Sequence, residues 1–266
     1  MIGPQGEVLH AMEWYEGLAE AVRAGRPVGV ATVVAGPRAL GAKMLAYADG
    51  RREGAFGLGE LDDTVIADCL EALRNERADT RSYAAAGEEF QVFLEPFAPA
   101  PTLVIVGAGH TSIPLSAMAG IAGYRVVLID ARSAFASPDR FPDVDEMIVD
   151  WPHKVLAERE ITTGTYVAVL THDSKFEDPL LPILLKSPAR YIGVIGSRKT
   201  QVARRERLLR EGFGESDLAR LRAPIGLDLG AITPEEIAIS ILAEMVAARH
   251  GRSGGSLAAK ATAKAT

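Results

Sequence analysis

The sequence predicts an α/β protein: a Rossmann-like parallel sheet with helices on both faces, preceded by a smaller α/β N-terminal domain. Three observations carry this. From residue 102 onward, short apolar runs alternate with helical segments. A proline-rich stretch, EPFAPAPT at 95–102, stands just before that alternation. A strand, a glycine turn and a helix open it, in TLVIVGAGHTS at 102–112. Alternating elements joined by short links build parallel sheets covered on both sides.

Within the first hundred residues, 7–24 reads as a helix, with Val8, Met12, Tyr15, Ala19 and Val22 on one face. Gly25 and Pro27 stop it. The β-branched run 28–34 and the run 43–47 read as strands, and Asp49-Gly50 marks a turn. Residues 62–74 form a helix with Val65, Ile66, Cys69, Leu70 and Leu73 inward, and 90–94 is strand-like. Three prolines in 95–102 make a stiff connector. The expected organisation is therefore an N-terminal domain over 1–98, a second domain over 99–250, and a small, polar, disordered tail over 251–266.

Strands of the second domain are expected at 102–106, 125–129, 146–150, 166–170, 191–195 and 223–225. Helices are expected at 112–122, 152–160, 178–185, 200–211 and 234–248. Thr233-Pro234-Glu235-Glu236 is a strong helix start, with a cap, a proline and first-turn acids.

In 102–112 a buried strand meets Gly107, Gly109 and His110, and the next strand ends on Asp130, about twenty residues further on. That is the first half of a dinucleotide-binding, Rossmann-like unit. The third small position of the fingerprint holds Ser112 rather than Gly or Ala. The alternative is a tight strand-to-helix turn with no ligand.

Ligands of open parallel sheets bind outside the carboxyl ends of the strands. Polar residues stand at each of these ends: Gly107, Gly109 and His110; Asp130 and Arg132; His172 and Asp173; Gly196, Ser197 and Arg198. Asp130 suits a ribose diol and Arg132 a phosphate. Gly196-Ser197 opens a helix, where backbone N–H groups favour an anion that Arg198 can clamp. His110 is either a contact or a capped turn residue. His172-Asp173 is read as ligand contacts ahead of a catalytic dyad, because adjacent residues rarely face each other. The loop with Asp139-Arg140-Phe141-Pro142 either closes over a ligand or is a proline-fixed bend.

Composition bounds the function. The 266 residues are 48% hydrophobic and 24% charged, with net charge −6. Residues 1–100 hold 9 basic and 16 acidic side chains, a net −7, against 20 and 19, a net +1, beyond. Arg198, Lys199, Arg204, Arg205, Arg207 and Arg210 concentrate in 198–210. That run is either a solvated basic helix face or part of an anion site. The overall acidity and the lack of a recognised motif argue against nucleic acid. No apolar run reaches the roughly 18 residues of a membrane helix, and no basic segment opens a secretory signal. One cysteine, Cys69, excludes an intrachain disulfide and suits the cytoplasm. The five histidines show no metal-ligand spacing.

The segment LVIVGAGHTSIPLSAMAGIAGYRVVLIDAR, then RFPD, LTHD, GVIGSRKT and PIGLDLGAITPEEIAISILAEMVA, resembles the xanthine dehydrogenase accessory factor family (XdhC/CoxI) over roughly 100–250. ATVVAGPRALGAKMLAYADG is similar to the first domain of that family. The resemblance implies a maturation chaperone for a molybdenum hydroxylase of the xanthine or CO dehydrogenase type. It implies binding of molybdenum cofactor, as molybdopterin or its dinucleotide form. It also implies work with a cysteine desulfurase and the apo-enzyme, in a homodimer. Gly107, Gly109, His110, Asp130, Arg132, His172, Asp173, Gly196, Ser197 and Arg198 carry over as cofactor contacts. The sequence departs from the family at two places. GLGELDD stands where the family has GGC, with Glu60 at the cysteine's place, and SYAAAGEEF stands where it has CGG. Without a thiolate at either place, the expected role is cofactor binding without direct sulfur chemistry. An NAD(P)-dependent oxidoreductase and a nucleotide-sensing regulatory module are the alternatives.

Overall fold

The structure, a computed structural model, describes residues 13–258. Its chain contacts divide it into two compact units between Pro99 and Ala100.

The first unit opens with α1 (Glu13–Arg23), followed by β1 (Val28–Ala35), β2 (Lys43–Tyr47) and β3 (Arg52–Glu53). The expected helix residues 7–12 lie outside the described residues. Then come α2 (Glu60–Asn75), β4 (Asp79–Ala85) and β5 (Glu88–Phe97). The sheet order is β3-β2-β1-β5-β4, antiparallel between the neighbours. Strand periodicity sorts the core. Val28, Val30, Leu45 and Tyr47 meet Ala21 of α1 on one face. Ala31, Val33, Met44 and Ala46 meet Val65, Cys69 and Ala72 of α2 on the other. Helix α2 lies so close that a Cβ on Gly29 would stand 2.6 Å from the Cys69 sulfur.

Beyond the short, unmarked β3, two features of this unit differ from the sequence expectation. The sequence pattern marks no strand at β4, yet β4 pairs with β5 along its whole length, from Asp79 opposite Leu94 to Ala85 opposite Glu88. A two-residue turn joins them, with Ala86 and Gly87 both at positive φ, 51° and 80°. That is the twist that hairpin turns favour. The proline connector also begins later, because β5 runs through Pro96 to Phe97. Pro96 is tolerated because β4 ends opposite Leu94, so that part of β5 has lost its second neighbour.

The second unit contains β6 (Thr102–Val106), α3 (Ser112–Ile121), β7 (Arg125–Ile129), β8 (Glu146–Ile148), α4 (Pro152–Glu158), β9 (Thr165–Val169) and α5 (Ser174–Lys186). It continues with β10 (Tyr191–Val194), α6 (Arg198–Arg210), α7 (Glu215–Leu218), β11 (Leu221–Arg222) and α8 (Pro234–Arg249). The six-stranded sheet has the order β11-β10-β9-β6-β7-β8, every pair parallel. In this sheet the strand order reverses about β6, as it does in doubly wound, Rossmann-type folds. Alternate strand residues face opposite layers. Leu103, Ile105, Val126 and Leu128 pack with Leu115 and Ala119 of α3 and with Ala238, Ile241 and Met245 of α8. Val104, Val106, Val127 and Ile129 pack with Leu156 of α4, Leu180 and Leu184 of α5 and Leu208 of α6.

Several boundaries shift by a residue or two, and two larger shifts have a plain cause. The last strand is Leu221–Arg222 rather than 223–225, because Pro224 has no N–H with which to continue a ladder. Helix α5 starts at Ser174 rather than 178, ahead of its internal Pro179 and Pro182, because Asp173 caps it there. Among the described residues, no helix is long and apolar enough to cross a membrane.

Candidate functional site

Strand order reverses between β6 and β9, so their crossovers leave on opposite faces of the sheet and open a crevice at their carboxyl ends. Gly107 ends β6 with φ +101°. A Cβ there would stand 3.2 Å from the carbonyl carbon of Leu170 and 3.3 Å from Cβ of Thr171. The two strand-end loops therefore touch at a point that favours glycine. Gly109, by contrast, faces open space, with nothing within 4 Å of a Cβ. His110 beside it is exposed. Ser112 is buried, and its hydroxyl donates to the Gly107 carbonyl at 2.5 Å. That bond accounts for serine at the third small position: the side chain ties the helix start to the glycine turn.

Asp130 is 1% exposed, and its carboxylate is occupied by its own chain. Oδ2 accepts the Ala108 N–H at 2.8 Å and Arg132 Nη2 at 2.8 Å. Oδ1 accepts the Arg132 N–H and Nε, each at 2.9 Å. Burial alone would raise the pKa of this acid. The bonds from Arg132 and Ala108 outweigh that and hold it below the ordinary carboxylate range. The reciprocal hydrogen bond from Asp130 raises Arg132 above its ordinary range. Asp130 thus joins the end of β7 to the glycine turn, a role that its place in the fingerprint does not announce.

The third strand end holds Thr171, His172 and Asp173. Asp173 Oδ1 caps α5 by accepting the Lys175 N–H at 3.0 Å, and the Thr171 hydroxyl accepts the Asp173 N–H at 3.2 Å. Its carboxylate therefore serves a helix start, and His172 is exposed beside it. At the fourth end, Gly196 has φ +142° and Ser197 caps α6, its hydroxyl accepting the Thr200 N–H at 3.2 Å. Arg198 is the first residue of α6 and is exposed.

The basic run that follows is mostly paired. Arg204 is buried against Glu177 of α5, with Nη2 2.7 Å from Oε2 and Nε 3.0 Å from the same oxygen. It also donates to the Ile195 carbonyl at 3.0 Å, while Gln201 Nε2 donates to the Gly196 carbonyl at 3.3 Å. Arg205 meets Glu215, and Arg207 meets Asp178 at 2.7 Å. The start of the run, Arg198 and Lys199, stands at the crevice end of the sheet.

Sequence reasoning missed the aromatic surroundings of Arg132. Its guanidinium carbon lies 4.4 Å from the ring centre of Phe135 and 5.5 Å from that of Phe176. Trp151 lies 5.1 Å from Phe176. These residues come from three separate strand ends, and no local pattern links them. The 139–142 loop is held down by Phe141, which is buried in the α3–α8 core layer. An apolar cavity of about 910 Å³ lies elsewhere, against α8, lined by Leu227, Leu242, Val246 and Leu257.

Cys69 is buried in the first unit, and burial pushes its thiol up to about 12. Glu60 is exposed at the start of α2. The loop before it wraps Asp62, whose carboxylate accepts the N–H groups of Phe56 at 3.0 Å, Gly57 at 3.2 Å and Leu58 at 3.4 Å.

A parallel sheet in this order, with its glycine turn and three helix starts at the carboxyl ends of its strands, defines a protein with a Rossmann domain. The XdhC Rossmann domain matches residues 103–245, and the XdhC and CoxI family matches residues 21–84. The chain belongs to the XdhC and CoxI family. It is 30% identical over 226 residues to the uncharacterized protein YqeB of Escherichia coli K12, covering 80% of this chain and 41% of that protein. It is 32% identical over 158 residues to a probable xanthine dehydrogenase subunit of Bacillus subtilis 168, covering 59% and 46%. It is 27% identical over 153 residues to the molybdenum cofactor insertion chaperone PaoD of Escherichia coli K12, covering 58% and 42%. The chain thus spans less than half the length of these curated relatives. In fold it is similar to a xanthine dehydrogenase from Bacillus halodurans, with a TM-score of 0.53 and 23% identity, over 91% of this chain and 97% of that one.

Proposed function

We propose that this protein binds molybdenum cofactor and serves as a maturation chaperone for a molybdenum hydroxylase of the xanthine or CO dehydrogenase type. The observation that carries the reading is the β6–β9 switch point, with the starts of α3, α5 and α6 all at the carboxyl edge of the sheet. Helix starts leave backbone N–H groups without intrahelical partners, and these favour phosphate. Molybdopterin carries a phosphate, and its dinucleotide form a pyrophosphate. The open space at Gly109 lets a phosphate approach the backbone. Gly107, Gly109 and His110 would hold it at α3, and Gly196, Ser197 and Arg198 at α6. His172 and Asp173 border the crevice between them. Asp130 acts behind this surface by fixing Ala108 and Arg132. The names of two relatives, a cofactor insertion chaperone and a xanthine dehydrogenase subunit, support the same reading.

The bound cofactor would supply a molybdenum–dithiolene centre, which the client enzyme uses. This chain offers that centre no accessible thiolate among its described residues, since Cys69 is buried between α2 and its sheet. Its part is to bind, orient and shield. The partner is the apo form of the client enzyme; a cysteine desulfurase would act on the bound cofactor without a sulfur relay through this chain. A homodimer in the cytoplasm completes the proposal.

The test is a co-elution measurement. The purified full chain is mixed with molybdenum cofactor released from a molybdenum enzyme and passed through a desalting column. Co-elution of molybdenum and of oxidised-pterin fluorescence with the protein is expected. Arg198→Ala should lower retention, by about tenfold or more in affinity for a lost charge-assisted bond. Complete separation of pterin from the wild-type protein would rule the reading out.

A further inference from the structure

We infer that the crevice selects a ligand in which a planar heteroaromatic ring accompanies a phosphomonoester, and that Arg132 is the residue that reads both. The inference rests on the crevice of the preceding reading and names the ligand feature that it recognises.

Asp130, first, is spent. A carboxylate offers about four lone-pair positions. Four N–H groups fill them: the Ala108 N–H, and the backbone N–H, Nε and Nη2 of Arg132. At this strand end, an acid that recognises an unmodified ribose must accept from its hydroxyls. Asp130, 1% exposed, has no acceptor left for them.

Arg132 presents something else instead. Its bonds to Asp130 use Nε and Nη2, which leaves Nη1 outside that pairing. The side chain is 42% exposed. Its guanidinium lies against both Phe135 and Phe176, and Trp151 continues the row beyond Phe176. The outer members of the row reach solvent, with Phe135 41% and Trp151 37% exposed. Half-exposed aromatics around a fixed cation form a platform for one more planar ring. Arg140, 5.8 Å from the Phe135 ring, adds a second positive charge. A phosphomonoester concentrates nearly two negative charges on one phosphorus at neutral pH, whereas each phosphate of a pyrophosphate diester carries one, so two neighbouring guanidinium groups favour the monoester.

If Arg132 served only to anchor Asp130, the crevice would not tell a phosphomonoester from a diol or a diester. Two ligands with the required feature have natural counterparts that lack it. Molybdopterin monophosphate has the monoester, and its cytosine dinucleotide form has only a pyrophosphate. NADP has the monoester on its ribose, and NAD has a diol.

The full chain is titrated with all four by calorimetry. In at least one pair, the monoester ligand should bind about tenfold or more tightly than its counterpart, and Arg132→Ala should bring the ratio to about one. Phe135→Ala leaves the bonds of Asp130 in place and should weaken the monoester ligand several-fold through lost stacking. Equal binding within both pairs, a ratio that survives in Arg132→Ala, or binding of none of the four overturns the inference. Preference for NADP with no molybdopterin bound would keep it and discard the chaperone reading. Equal binding of both molybdopterin forms, with neither nicotinamide dinucleotide bound, would do the reverse.

Discussion

Asp130 occupies the fingerprint position of a ligand acceptor, yet all of its bonds are internal. Its folded pKa lies below the ordinary value, so its contribution to stability is fully present above the unfolded pKa of about 3.9. That contribution is lost as pH falls through the lower, folded value. Thermal melts between pH 6 and pH 2 should therefore show a drop that begins only below about pH 4. In Arg132→Ala the folded pKa of Asp130 moves up toward the unfolded value, so the acid-induced loss should be smaller, and stability at neutral pH should fall by about 1–3 kcal/mol. An acid profile unchanged by that substitution would show that the pair does not hold the acid. The role of Asp130 is not legible in the sequence. The spacing of strand, glycines and acid places it correctly, but only the geometry shows the Arg132 side chain folding back across two residues to claim it. Ser112 is likewise legible as a departure and not as a latch, since its hydroxyl bond depends on how the helix start meets Gly107.

Among the elements, those with continuous apolar runs are legible to within a residue or two. β6 and β7 fall at the expected positions, since a run such as Leu103 to Val106 is buried on both faces and has few other ways to fold. β4 is hidden because DTRSYAA is an exposed edge strand held by one partner, and its turn uses Ala86-Gly87 rather than Asn-Gly. The α5–α6 pair is invisible for another reason: Glu177 and Arg204 lie far apart in sequence, and the side chains are 6% and 2% exposed in the fold. Such a pair is costly to break and cheap to replace. Arg204→Met leaves a buried carboxylate unpaired and should cost about 3–5 kcal/mol in urea denaturation. Adding Glu177→Leu should recover most of that loss. A double variant no more stable than the single one would contradict this account. Because Arg204 also holds the Ile195 carbonyl, the rescued variant should still have a loosened Gly196–Arg198 turn.

The whole chain comprises two units with separate cores. Cys69, Val65 and Phe90 belong to one core, while Ile105, Leu128 and Ile241 belong to the other. Each unit closes its own sheet, so the units should fold independently. Residues 100–266 produced alone should give a single cooperative thermal transition and a native far-ultraviolet dichroism spectrum. A non-cooperative, molten product would show that the second unit depends on the first. The four groups of candidate contacts all lie in that second unit, so the isolated fragment should also retain the ligand preference of the full chain.

The bond from Ala108 N–H to Asp130 has one more consequence. The glycine turn and Arg132 share a single carboxylate, so whatever draws on one alters the other. A ligand that pulls Arg132 toward its own charge withdraws a donor from the oxygen that Ala108 shares, and one that reorders the glycine turn changes the hold on Arg132. Linkage makes that influence mutual and equal in free energy. Two fragments of one ligand, one occupying the turn and the other the arginine, should therefore not bind independently: each should change the affinity for the other by the same factor.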